Sequence, residues 1–113
     1  MHWTHIRGEE AEQKVLEELQ RRGFRLVHRR LRTPMAEIDL VMSSLAEYLL
    51  VEVKTLSRRG FFENRLTRGQ KQRLKRARAF LQELWQADVR LVLAIVDENG
   101  KILLFNLTAD DLN

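Results

Sequence analysis

Leu49-Leu50-Val51-Glu52-Val53-Lys54 reads as a buried strand that nevertheless carries a carboxylate and an ammonium. Side chains alternate along a strand, so Glu52 and Lys54 point one way and Val51 and Val53 the other. A charge in a central strand is costly unless it is paired or bound to a metal. The strand before it, Ala36 to Met42, alternates too: Ile38, Leu40 and Met42 on one face, Glu37, Asp39 and Val41 on the other. If Leu45-Ala46 is the two-residue turn between them, paired positions sum to 91. Asp39 then lies opposite Glu52, and Glu37 opposite Lys54. Like charges directly opposed in a sheet are destabilising, and two adjacent carboxyls drive one of them to hold a proton. A hard divalent cation removes that conflict, because carboxylate oxygens are its natural ligands. The competing reading is an ion-pair network, with Glu37 joined to Lys54 and the two acids bonded to nearby arginines.

The other elements follow from periodicity. Gly8 to Arg22 predicts a helix with Ala11, Val15, Leu16 and Leu19 as its apolar stripe and Gly23 as its stop. Glu9 then falls in the first turn, where the helix dipole favours a carboxylate. Met1 to Arg7 has no clear pattern, although Trp3 and Ile6 suit the edge of a core. Phe24 to Leu31 alternates imperfectly, as an edge strand does. Ser57 to Leu66 is a basic loop containing Phe61-Phe62, a pair suited to anchoring the loop or stacking on a base. Thr67 to Ala87 predicts a second helix, with Thr67 and Gln70 as a capping box and Leu74, Ala77, Leu81, Leu84 and Trp85 as its apolar stripe. Val89 to Val96 is apolar on both faces and so central. Asn99-Gly100 is a strong hairpin turn leading into Lys101 to Leu107. An acidic tail, Thr108 to Asn113, closes the chain. The order αβββαββ predicts an α/β arrangement, one five-stranded mixed sheet flanked by helices, with residues 1–113 as a single domain.

Composition narrows the function. The chain of 113 residues has no cysteine, which excludes disulfides, thiolate metal sites and cysteine nucleophiles. His5 and His28 lack metal-ligand spacing. No apolar run is long enough to span a bilayer, and no export signal is evident, so a cytoplasmic protein without a membrane partner is expected. The net charge of +4 is unevenly spread. Arg21 to Arg32 holds six arginines and no acid; Arg58 to Arg78 holds nine basic residues against Glu63 alone. Fifteen of the twenty basic residues are arginine, whose fork suits phosphate. Arg68, Lys71, Lys75 and Arg78 recur at helical spacing, and with Arg58, Arg59 and Arg65 they form the expected nucleic-acid face.

A spaced acid, Glu-x-Lys on the next strand and a preceding helix bearing Glu together resemble the restriction-endonuclease-like superfamily with its PD-(D/E)xK signature. The closer resemblance, over most of the chain, is to the YraN-like endonuclease family, related to archaeal Holliday junction resolvases. It is carried by Gly8-Glu9-Glu10, Glu37-Ile38-Asp39-Leu40, Val51-Glu52-Val53-Lys54 and the helix beginning Gly69-Gln70-Lys71. The resemblance implies a restriction-endonuclease-like fold and a Mg²⁺- or Mn²⁺-dependent phosphodiesterase. Asp39, Glu52 and the Val53 carbonyl would hold the cation, with Glu9 reaching it directly or through water. Lys54 would orient or activate the attacking water. The implied partner is DNA, branched or single-stranded forms included and RNA not excluded; resolvase relatives act as dimers, so a homodimer is an open expectation. Ala36 stands where family members usually have Gly, Leu56 where a basic residue usually follows, and Ile38 at the superfamily's Pro. These departures bear on DNA positioning more than on metal binding. The alternative from another class is a nuclease-fold module that binds nucleic acid or a DNA-processing partner without cleaving.

Overall fold

The computed structural model describes residues 3–56, 66–108 and 112, with side chains from Gly8 onward. Its elements are α1 (Trp3–Arg21), β1 (Arg25–Arg32), β2 (Glu37–Ser43), β3 (Tyr48–Leu56), α2 (Arg68–Trp85), β4 (Val89–Asp97) and β5 (Ile102–Leu107). The five strands form one mixed sheet in the order β1-β2-β3-β4-β5. Only β3 and β4, joined through α2, run parallel. The αβββαββ order and the mixed sheet are as the sequence predicts.

The helices cover opposite faces of the sheet. Ala11, Val15, Leu16 and Leu19 of α1 pack on Leu40, Met42, Leu49, Val51, Val92, Ala94 and Val96. Leu74, Ala77 and Leu81 of α2 pack on Val41, Leu50, Val89 and Leu91. Strand β4 therefore buries both of its faces, which is why it reads as a continuous apolar run. Burial of each leucine, valine or methionine among them is worth about 1.5–3 kcal/mol. Among the described residues no helix is long and apolar enough to cross a membrane.

Local chemistry sets the element ends. Gly23 takes φ +95, and Phe24 N–H donates to the Leu19 carbonyl at 3.0 Å, closing α1 with the left-handed turn glycine permits. The expected capping box of α2 is formed in both directions, Gln70 N–H to Thr67 Oγ1 at 3.1 Å and Thr67 N–H to Gln70 Oε1 at 2.8 Å. The β4–β5 turn uses Gly100 at φ +83, and the Asp97 carboxylate accepts from both Asn99 N–H and Lys101 N–H.

Four expectations need correction. Helix α1 begins at Trp3, so Glu9 lies past the first turn and its dipole role lapses. Leu84 is 62% exposed and outside the α2 stripe, whereas Trp85 turns inward against the Tyr48 ring at 4.7 Å. Ile38 leaves the face of Leu40 and Met42 and joins the α2 side, so β2 does not alternate cleanly through Asp39. Glu37 does not reach Lys54: it pairs with Arg32 across the β1–β2 turn at 3.5 Å. The imperfect alternation of β1 has its own cause, a register shift between Leu26 and His28. Trp3, Ile6, Arg58, Arg59, Phe61, Phe62 and Arg65 belong to expectations that fall outside the described side chains.

Candidate active site

The β2–β3 ladder pairs Leu40 with Val51, Val41 with Leu50, Met42 with Leu49 and Ser43 with Tyr48. Every pair sums to 91, the register expected from the turn. The ladder stops at the level where Asp39 would face Glu52. There the Asp39 side chain takes over, its Oδ2 accepting from Val53 N–H at 2.8 Å. A carboxylate accepting from a backbone amide makes a charge-assisted bond, stronger than the backbone bond it replaces.

Glu52 lies beside it and shares a side-chain hydrogen bond with Asp39. Burial, then the Asp39 charge, then that hydrogen bond push the Glu52 carboxyl up to about 8; Lys54 opposes the shift and Glu12 adds to it. Near neutral pH the Glu52 carboxyl therefore keeps its proton. Lys54 Nζ stands 3.9 Å from Glu52 Oε1, both side chains mostly buried, at 21% and 17% exposed. The pair points to one side of β3, as strand alternation requires.

From α1, Glu12 acts electrostatically on the pair. Burial, and secondarily the Asp39 charge, raise its carboxyl; Arg30 and Arg29 pull it down. Its Oε1 lies 3.7 Å from Arg30 Nε. Glu9 is exposed and lies farther along the same helix, on an open groove of about 410 Å³ lined also by Glu12, Gln13, Arg29 and Arg30. Sequence reasoning missed Glu12, yet the signal was present. At about 100° per residue, Glu12 falls within the arc spanned by Ala11, Val15, Leu16 and Leu19, whereas Glu9 lies just beyond it. A charge inside an apolar stripe is the one that packing carries inward.

Among the described residues no group of three or more histidine, aspartate and glutamate side chains gathers closely enough to hold an ion. The chemistry of the Asp39–Glu52 pair nonetheless fits a hard divalent cation. Mg²⁺ commonly binds through one or two carboxylates, keeping water and substrate oxygens as its other ligands. Two acids that trap a proton between them gain when a dication replaces it.

On α2, Arg68 is exposed, while Lys71, Lys75 and Arg78 are half-buried along one flank of the stripe Leu74, Ala77 and Leu81. The Nε of Arg78 is buried without a hydrogen-bond partner among the described residues.

Residues 11–96 match the model of the Uncharacterised protein family UPF0102. The chain belongs to that family. Its UPF0102 relatives include a protein of Ruegeria pomeroyi, 38% identical over 106 residues, covering 88% of this chain and 84% of the relative. Another, from Thermus thermophilus, is 37% identical over 98 residues, covering 85% and 88%. A third, from Shewanella loihica, is 34% identical over 86 residues, covering 74% and 75%. The UPF0102 match spans α1 through β4, and with them Glu12, Asp39, Glu52 and Lys54.

Proposed function

We propose that this UPF0102 chain is a restriction-endonuclease-like, metal-dependent nuclease that hydrolyses phosphodiester bonds in DNA, branched or single-stranded DNA among its substrates. The observation that carries the reading is the Asp39–Glu52 pair: Asp39 is fixed by Val53 N–H at 2.8 Å, and the mostly buried Glu52 beside it has Lys54 Nζ at 3.9 Å. An ion-pair network built for stability would match acids to bases one for one, and here two acids face each other.

In this reading Asp39, Glu52 and the Val53 carbonyl hold Mg²⁺ or Mn²⁺. The bound cation supplies a more acidic water and a counter-charge for the phosphate. The Val53 amide fixes the Asp39 carboxylate on β2 against β3, so its second oxygen has a set place. Lys54 donates to the attacking water or to the phosphate oxygen on which charge builds. Glu12 is the α1 acid nearest the pair in effect, with Glu9 beyond it on the groove. The α2 flank, Arg68, Lys71, Lys75 and Arg78, takes the phosphates of the strand, together with Arg58, Arg59 and Arg65.

The test is a cleavage assay on linear, single-stranded, flapped and four-way DNA, with RNA alongside, in Mg²⁺ or Mn²⁺. Wild type is compared with Glu52→Ala and Lys54→Ala. Products formed by the wild type and lost in both variants are the expected result. Binding without cleavage on every substrate would replace this reading with the non-catalytic module.

A further inference from the structure

Arg30 has φ +52 in the middle of β1, a left-handed conformation that a non-glycine residue adopts at a cost of about 1–2 kcal/mol. Gln86, the other non-glycine residue with positive φ among the described residues, simply caps α2. Arg30 has no such excuse. Its neighbours Arg29 and Leu31 keep regular pairing with Leu40 and Ile38, so there is no register shift to absorb. That same register sets Arg30 opposite Asp39.

Its visible side-chain contact does not offset the strain. The Glu12 pair is 3.7 Å long and the Arg30 side chain is 54% exposed, a geometry worth less than about 1 kcal/mol. One contact also leaves most of a guanidinium's five N–H donors for other acceptors. Beside it, Arg29 is held in place by a relay, Arg29 Nη2 to Gln13 Oε1 at 2.9 Å and Gln13 Nε2 to Glu17 Oε2 at 2.9 Å. Both arginines line the groove between α1 and β1.

We propose that this groove is a second phosphate-binding site, in which Arg29 and Arg30 grip the nucleic-acid backbone on the β1 side of the Asp39–Glu52 pair. The proposal rests on the nuclease reading and extends it. Arg29 and Arg30 would add a grip on the α1 side of the sheet to the one proposed on α2. The planar fork of arginine suits phosphate oxygens, and its charge is fixed at every working pH. Glu12 leaves room for this, because it engages only one edge of Arg30.

The experiment is fluorescence anisotropy with fluorescein-labelled single-stranded and four-way DNA in EDTA, over a series of salt concentrations. Arg30→Asn removes the charge while keeping a residue that tolerates left-handed backbone. It should retain the wild-type melting temperature, bind about five- to tenfold more weakly at about 0.1 M salt, and lower the salt slope by about one phosphate contact. Arg30→Lys should recover part of the slope. Arg29→Gln, where the backbone is unstrained, should show the same loss and decides the matter if Arg30→Asn fails to fold. Folded variants with wild-type affinity and slope would overturn the groove assignment while leaving the nuclease reading intact. A wild type that binds no nucleic acid would overturn both.

Discussion

Replacing Glu52 by glutamine should make the protein more stable at pH 8, an unusual result for a mostly buried polar site. Its carboxyl is raised from 4.5 to about 8, by burial first and by Asp39 second. Between those two values the folded protein holds a proton that the unfolded chain has released. Stability is therefore highest below the unfolded value and falls as pH rises through the window, the reverse of a salt-bridged acid. At 1.36 kcal/mol per unit the whole window corresponds to about 5 kcal/mol, of which about 3–4 kcal/mol falls between pH 5 and pH 8. The side chain is only 17% exposed, so solvent screening removes little of this. Glutamine keeps the shape, stays neutral and can still donate to Asp39. The assay is thermal melting in EDTA at pH 5, 6, 7 and 8. Wild type should lose on the order of 10 °C or more across the series, and Glu52→Gln should lose much less. Mg²⁺ should raise the wild-type melting temperature most at pH 8, where it substitutes for the departing proton, and Glu52→Gln should respond weakly. A flat wild-type profile, or a glutamine variant less stable than wild type at pH 8, would refute the shared proton.

The remaining predictions follow from single contacts. Asp39→Asn should remain folded, because its amide oxygen still accepts from Val53 N–H, and should abolish cleavage while sparing DNA binding in EDTA; loss of binding with the fold intact would count against the catalytic assignment. Thr67→Ala removes one half of the α2 capping box and should cost about 1 kcal/mol in urea denaturation. Gly23→Ala places a Cβ at φ +95, where nothing crowds it, so the penalty is the backbone conformation alone, roughly 1 kcal/mol.

Most of the fold was legible because its signals are local. The β2–β3 register followed from turn length and from which positions carry charge, and it is observed from Leu40–Val51 to Ser43–Tyr48. Gly23, Asn99-Gly100 and the Thr67–Gln70 box marked their element ends. Illegible were the features set by tertiary contact. Helix α1 extends back to Trp3 through a stretch with no apolar pattern. Ile38 changes face at the level where Arg30 adopts positive φ and Asp39 replaces the ladder bond, and neither is visible in a hydropathy pattern. Glu37 prefers Arg32, a partner across the β1–β2 turn, to Lys54 across a ladder that has already opened.

The opening of that ladder connects the fold to the site. A regular antiparallel pair would hold Asp39 and Glu52 in register by backbone bonds alone, with their charges forced together. Ending the ladder one pair early frees Val53 N–H, and Asp39 answers it with its own side chain. One oxygen of the aspartate is thus spent on structure. The same geometry explains why Glu12 acts on Glu52. An acid inside the α1 stripe is carried down onto the sheet where the strands part, and Arg30 offsets its charge from the edge strand. Glu12→Gln should therefore lower the Glu52 carboxyl and flatten the pH dependence of melting partway toward that of Glu52→Gln, because Glu12 is one of the charges that raise it. Glu9→Gln, outside the arc, should leave that profile where it is. The two profiles changing in the opposite order would return the α1 role to Glu9.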